Sequence, residues 1–336
     1  MFAFNSMFKK INRCLIYPIA YRAGIPNILI RRGNKNLILC YHGVCESPNF
    51  GINNRHMNLI QFERNLKFLN ENFEIVSLTK IFNDPYHQSE KPLLALTFDD
   101  GYVNNFINVL QLAEKYKIPV AFFIICGALN DPEFITWYDA FDFVKFGQPA
   151  EIEFDSLTFN LQNGIYQNRN ETLDNHIKMM GRERVNAMKV FNDRYEKNIE
   201  VNKKKYPEYW KLASKELLES NAENPWLTIG SHSQFHYNLG NISLELAEEE
   251  LTNSKRVLQE IIGKEITSIA YPDGSYNEEV KLLAIKAGYK YQLAIDYQLD
   301  SDSADRTLRN RISISNSTTH EANMLRLGLE IKKSGF

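Results

Sequence analysis

The chain has 336 residues, 44% of them apolar and 24% charged, with a formal net charge of −2. This length supports one large α/β domain or two small ones, with ample core. The near-neutral balance excludes the basic surface that nucleic-acid binding normally requires, so no nucleic-acid partner is expected. Residues 1–35 form a basic and apolar segment in which Lys9, Lys10 and Arg13 precede an apolar run broken by Pro18 and Arg22. The run is too short to span a bilayer and no A-x-A-like cleavage site follows it. Peripheral contact with a membrane through this segment, or packing of the segment on the rest of the fold, is the remaining expectation. Cys14, Cys40, Cys45 and Cys126 include no CxxC pair. They read as reduced, buried thiols, which places the chain in the cytoplasm or at the cytoplasmic face of a membrane.

The predicted elements alternate. A strand over 37–41 (LILCY) is followed by a helix over 58–70 with Leu59, Phe62, Leu66 and Leu69 on one face. A buried-type strand over 93–98 (LLALTF) precedes a helix over 102–117 and a strand over 119–126 (PVAFFIIC). Later come strands over 227–231, 267–271 and 291–295, with helices over 243–262 and 278–287 between them. Such alternation implies a parallel sheet or barrel with helices outside. Residues 131–224 break the rhythm. A hairpin over 150–163 turns at Asp155-Ser156, and the polar stretch 171–220 looks helical. The block reads as an insertion on a barrel domain of residues 36–320, followed by a tail or helix over 321–336.

Two stretches carry chemistry. Thr97-Phe98-Asp99-Asp100-Gly101-Tyr102 sets two carboxylates at the C-terminal end of a buried strand, where active sites of parallel barrels form. Adjacent buried carboxylates are costly unless a cation offsets them, although one of them could simply cap the next helix. Ser231-His232-Ser233-Gln234-Phe235-His236 follows another strand and holds two histidines four residues apart. Asp100, His232 and His236 together would make a three-ligand metal set with positions left open for water and substrate.

These motifs resemble the polysaccharide deacetylase family, whose catalytic unit is the NodB-homology domain. T-F-D-D-G stands at Thr97 to Gly101 and H-S-x-x-H at His232 to His236, and the similarity covers roughly residues 36–315. The resemblance implies a distorted (β/α) barrel of the polysaccharide deacetylase type with a helical and hairpin insertion. It also implies an Asp99 general base and one divalent metal on Asp100, His232 and His236. Zn suits that set, and Co, Ni or Fe fit similar ligands. The implied reaction removes N-acetyl groups from an N-acetylhexosamine glycan or glycan precursor.

The third motif departs from the family pattern. Ile269-Ala270-Tyr271-Pro272-Asp273-Gly274 lacks the arginine that often tethers the base. It resembles a branch reading F-A-Y-P-Y-G, linked to bacterial exopolysaccharide and envelope sugars, whose members often open with Y-H-x, as Tyr41-His42-Gly43 does here. His42 is thus expected at the site, contacting substrate or serving as general acid, ahead of His320, which falls in a loop-like stretch. Arg311 could supply the missing positive charge and pair with Asp99, or lie on the surface. Tyr102, Tyr271 and Pro272 are expected to touch substrate, and a backbone N–H at or near Tyr271 to face the oxyanion. Trp137 and Tyr138 could stack on a sugar or pack the insertion, and turn chemistry accounts for Asp273. An O-acetyl esterase, a non-sugar amidase, and a weakly catalytic carbohydrate-binding protein are the alternatives.

Overall fold

Each branched or aromatic run becomes a strand of one parallel sheet. In a computed structural model that describes residues 16–33, 35–84, 90–314 and 316–331, eight strands form the main ladder. They are β1 (Leu37–Tyr41), β2 (Leu93–Phe98), β3 (Val120–Ile124), β4 (Leu227–Ser231), β5 (Ser268–Ala270), β6 (Tyr291–Ala294), β7 (Leu308–Asn310) and β8 (Ile312–Ser313). β1 to β7 pair in chain order, and β8 lies on the other edge of β1. All these pairings are parallel, with Leu37 opposite Leu94 and Leu39 opposite Ile312. Arg311 alone separates β7 from β8, so the chain steps from one end of the ladder to the other and nearly closes a barrel. This is the distorted (β/α) barrel that the family resemblance implies. β1, β2 and β3 are buried at every position, as parallel strands are when both faces are covered.

Helices fill the connections. Asn58 caps the helix Leu59–Asn72 by accepting from the Gln61 N–H, and Phe62, Leu66 and Leu69 point into the core. Ser243 and a left-handed Gly263 bound the helix Leu244–Ile262. The single helix expected over 102–117 is different in detail. One turn, Asn105–Val109, is π-helical before Leu110–Tyr116 continues as α. At this wide turn, Asn105 Nδ2 donates to the His42 carbonyl at 2.9 Å and Asn108 Nδ2 to the Val44 carbonyl at 2.7 Å. Such turns are frequent at functional sites, and this one ties the loop after β1 to the segment after β2.

The block between β3 and β4 has a core of its own, built on Phe141, Phe154, Phe159 and Phe191. Its hairpin pairs Glu151–Phe154 with Leu157–Gln162 through Asp155 and Ser156, both at positive φ. A second hairpin, absent from the sequence expectation, turns at Asn163-Gly164 into Ile165–Asn168, and Glu171–Thr172 completes a four-stranded antiparallel sheet. Short helices over Leu173–Lys178, Glu183–Arg194, Glu196–Lys205 and Lys215–Asn221 return the chain to β4. At the other end, helices Tyr17–Arg22 and Ile25–Arg31 pack on the helix His320–Glu330. Lys9, Lys10, Arg13 and Cys14 lie outside the described residues. Cys40, Cys45 and Cys126 are free and buried.

Candidate active site

The carboxyl ends of β1, β2 and β4 converge with the short link between β7 and β8. After β2, Asp100 and Gly101 both take positive φ, 71° and 80°, so the chain turns sharply at the strand end. The positive φ at position 101 is the reason this turn favours glycine.

Asp99 is buried and held by a two-pronged ion pair. Arg311 Nη1 donates to Asp99 Oδ1 and Arg311 Nη2 to Asp99 Oδ2, each at 2.7 Å. The Arg311 side chain is fully buried and also donates to Thr97 Oγ1 at 3.2 Å. Burial pushes the Asp99 carboxyl up, but the Arg311 guanidinium outweighs it and holds the group well below the usual carboxylate range, helped by His232 and His42. Arg311 is therefore a partner of Asp99 and not a surface residue. The Cys40 thiol adds a donor to Asp99 Oδ2 at 3.3 Å.

Asp100 is also buried, yet neither of its carboxylate oxygens has a hydrogen-bond partner. Its Oδ1 lies 3.5 Å from His232 Nε2 and 3.7 Å from His236 Nε2. One ligand atom from each of the three residues falls within 4.8 Å of the others, the one such cluster among the described residues. His232 Nδ1 sits 2.8 Å from the Ala270 carbonyl. That contact requires a proton on Nδ1 and leaves the Nε2 lone pair facing Asp100, the usual outer contact of a metal-ligating imidazole. Burial first, and then His232, push the His236 pKa down to about 4, so that ring is neutral. Unpartnered buried carboxylate oxygens beside two imidazole nitrogens suit a divalent cation.

Asp100 and His236 open into a cleft that His42, Arg55, Trp137, Tyr138, Asp142 and Asp273 help to line. His42 thus stands at the cleft. Trp137 and Tyr138 serve both as cleft wall and as part of the insertion's core. Five other expectations need correction. Tyr102 is fully buried with its hydroxyl on Asp139 at 3.0 Å, so it does not reach the cleft. Tyr271 is fully buried too, its ring stacked on Tyr276 and its hydroxyl donating to Gln292. The Tyr271 N–H is spent on the Leu293 carbonyl at 3.0 Å, which removes it as an oxyanion donor. Pro272 is buried and does not line the cleft. His320 does not lie in a loop: it opens the last helix, with Nδ1 2.6 Å from Asn65 Oδ1.

Several cleft residues carried no signal in the sequence. Arg55 donates at 2.6 Å to both Asp139 and Asp142, and its guanidinium lies 4.6 Å from the Tyr138 ring centre. Lys178 of the insertion pairs with Asp273 at 3.2 Å, so Asp273 is more than a turn residue. The i, i+3 spacing of Asp139 and Asp142 on the helix Trp137–Phe146 is the one available hint.

A buried, ion-paired carboxylate next to an Asp-His-His cluster, at the carboxyl ends of barrel strands, is the layout of a hydrolase. The chain belongs to the polysaccharide deacetylase family, whose model matches residues 87–292. The Bacillus subtilis (strain 168) protein YxkH, named after the same family, is 33% identical over 64 residues, 19% of this chain and 23% of that protein. The matched stretch thus spans about a quarter of that relative. The Streptococcus pyogenes deacetylase PplD has the same fold, with a TM-score of 0.57 at 16% identity over 88% of this chain and 98% of that one. IcaB from Ammonifex degensii gives 0.54 at 15% identity, covering 88% and 97%. A de-N-acetylase from Aggregatibacter actinomycetemcomitans gives 0.52 at 15%, covering 87% and 100%.

Proposed function

We propose that the protein hydrolyses the N-acetyl group of an N-acetylhexosamine unit in a glycan or glycan precursor, with one divalent ion on Asp100, His232 and His236. The observation that carries this reading is the buried Asp100 carboxylate, unpartnered and facing two imidazole nitrogens, beside an ion-paired Asp99. The donor set suits Zn, with Co, Ni or Fe as compatible ions. Such an ion supplies the charge that polarises an amide carbonyl and makes water acidic.

The chain's own residues do the rest. Asp99 accepts a proton from the attacking water. Arg311 keeps Asp99 ionised and fixed in orientation. The water oxygen bonds to the carbonyl carbon, the C–N bond breaks, and His42 at the cleft delivers a proton to the departing amine. Acetate and a free amine result. Trp137 and Tyr138 offer ring faces for a sugar, and Arg55 a guanidinium edge.

The test is acetate release from N-acetylglucosamine and N-acetylgalactosamine oligomers and their lipid- and nucleotide-linked forms. Chelator-treated protein is expected to be inactive and to recover with added Zn. His232→Ala is expected to abolish both tight metal binding and release. A parent protein that binds no metal, or an unaffected His232→Ala protein, would sink the metal assignment. Release from acetyl esters and not from amides would favour the esterase reading.

We also propose that the N-terminal segment rests on a membrane at its cytoplasmic face. Residues 1–45 hold seven basic residues (Lys9, Lys10, Arg13, Arg22, Arg31, Arg32 and Lys35) and no acidic one. Ile16, Ile19, Ile25 and Ile28 are exposed on or beside the first two helices. Exposed apolar side chains among basic ones suit anionic headgroups. No helix among the described residues is long and apolar enough to cross a bilayer. The protein is expected to float with phosphatidylglycerol vesicles at low salt, but not with phosphatidylcholine alone or at high salt. Absence from the anionic vesicles would dismiss the contact.

A further inference from the structure

The loop that carries both histidines adopts a strained shape. Ser233 and His236 have φ of 62° and 57°, the left-handed region that residues with a Cβ avoid. Such conformations persist only where their surroundings over-determine them, so the loop's backbone bonds identify what holds the histidines in place.

Every N–H from His232 to His236 is used. His232 donates to the Ile124 carbonyl at 2.9 Å. Ser233 donates to Ser231 Oγ at 3.1 Å and His236 to Ser233 Oγ at 3.0 Å. Gln234 and Phe235 both donate to Glu250 Oε2, at 2.9 and 2.8 Å. Glu250 projects from the helix Leu244–Ile262 and is buried. The Ser233 and Gln234 carbonyls accept from Cys126 and Gly127 at 3.2 and 2.7 Å. All these partners belong to the barrel and its adjoining helix.

The next two carbonyls are held differently. Arg184 Nη2 donates to the Phe235 carbonyl at 2.7 Å and to the His236 carbonyl at 3.1 Å. Its guanidinium lies 4.1 Å from the Tyr237 ring centre, and the residue is buried. Arg184 sits in the helix Glu183–Arg194, inside the insertion. The same short stretch sends Arg182 to Glu249 at 2.6 Å and Lys178 to Asp273 at 3.2 Å. Three cations spaced over seven residues therefore strap the insertion to the strand-end face of the barrel. Only the last of these three cations along the chain, Arg184, reaches the backbone of a histidine of the cluster.

We infer that Arg184 is a positioning residue for the metal centre, so the insertion takes part in building the site as well as in walling the cleft. With Glu250 on the N–H side and Arg184 on the C=O side, opposite charges grip the loop and fix His236 in its left-handed conformation. Loss of the Arg184 grip frees the His236 backbone to relax and turns its imidazole away from Asp100 and His232.

This inference rests on the metal reading above, and the experiment separates the two. Metal affinity is measured by competition with a chromogenic chelator on full-length parent, Arg184→Ala, Arg184→Lys and Arg182→Ala proteins. Thermal unfolding of the metal-free forms is followed alongside. Outer contacts of this kind are typically worth about 10- to 100-fold in metal affinity, so Arg184→Ala is expected to weaken Zn binding by about that factor. Arg184→Lys, which keeps one donor and the charge, is expected to recover part of the loss. Arg182→Ala removes an exposed pair of the same strap and is expected to leave affinity unchanged. If Arg184→Ala lowers the unfolding temperature but binds Zn as the parent does, Arg184 only anchors the insertion and the inference fails. If Arg182→Ala weakens binding equally, the strap acts as a whole and the specific role of Arg184 is overturned. A parent without Zn affinity overturns the metal reading itself.

Discussion

The Asp99→Asn protein is expected to bind its metal as tightly as the parent and to lose about 10²- to 10⁴-fold in turnover, the usual contribution of a positioned general base. The two effects separate because the two aspartates are committed to different partners. Asp99 gives both oxygens to Arg311 and stands 4.0 Å from His232 Nε2, whereas both Asp100 oxygens lack a partner. An amide at position 99 keeps the shape and one acceptor but cannot take up a proton. Acetate release and chelator competition on the same preparation measure both effects. His42→Gln provides the complementary case. An amine is a poor leaving group without a proton, while the phenolate of an aryl acetate leaves unaided. That variant should therefore lose amide hydrolysis and keep aryl-ester hydrolysis. Near-normal amide turnover in either variant would remove the corresponding role.

Replacement of Arg311 should be the costliest single change for stability. Removing one partner of a buried ion pair leaves the other charge uncompensated, at about 3–5 kcal/mol. Arg311→Met is expected to fall in that range by urea unfolding of metal-free protein at pH 7. The sign of the pH dependence is informative. In the parent, Arg311 holds the Asp99 carboxyl below its ordinary value. The stability due to the pair is then fully present above the unfolded-chain pKa of about 3.9 and is lost as pH falls from there toward the lower folded value. Without Arg311, burial dominates, the folded pKa rises above the unfolded one, and protonation becomes stabilising. The gap between parent and variant should therefore narrow from pH 7 to pH 5. A gap of constant size would mean that Asp99 is not the group left stranded.

The barrel and the core of the site were legible because they are written locally. LILCY, LLALTF and VAFFI are contiguous runs; Asp99 and Asp100 directly follow the second of them, and His232 directly follows the strand Leu227–Ser231, with His236 four residues on. Arg311 could be suspected because the third motif lacks a cation. What escaped depends on direction or on distance along the chain. Tyr102 and Tyr271 adjoin the motifs, but their rings turn into the packed interior, where Asp139 and Gln292 take the hydroxyls. No local pattern states which way a residue just past a strand will face. The Arg55–Asp139 and Arg184–His236 contacts join residues 84 and 52 positions apart, and a lone arginine in a polar stretch does not announce its partner. The Asn163-Gly164 turn was legible in principle, since Asn-Gly between alternating strands is a strong hairpin signal.

The step from β7 to β8 has a consequence for the order of events during biosynthesis. Arg311, which closes the ring of strands, is the same residue that neutralises Asp99, 212 positions earlier in the chain. Asp100, His232 and His236 all precede Arg311 in the order of synthesis, so the Asp99 carboxylate lacks its countercharge until the last strands are added. Shutting the seam supplies the countercharge. Because the partner of Asp99 sits between the last two strands, the pair forms only when the ring of strands closes.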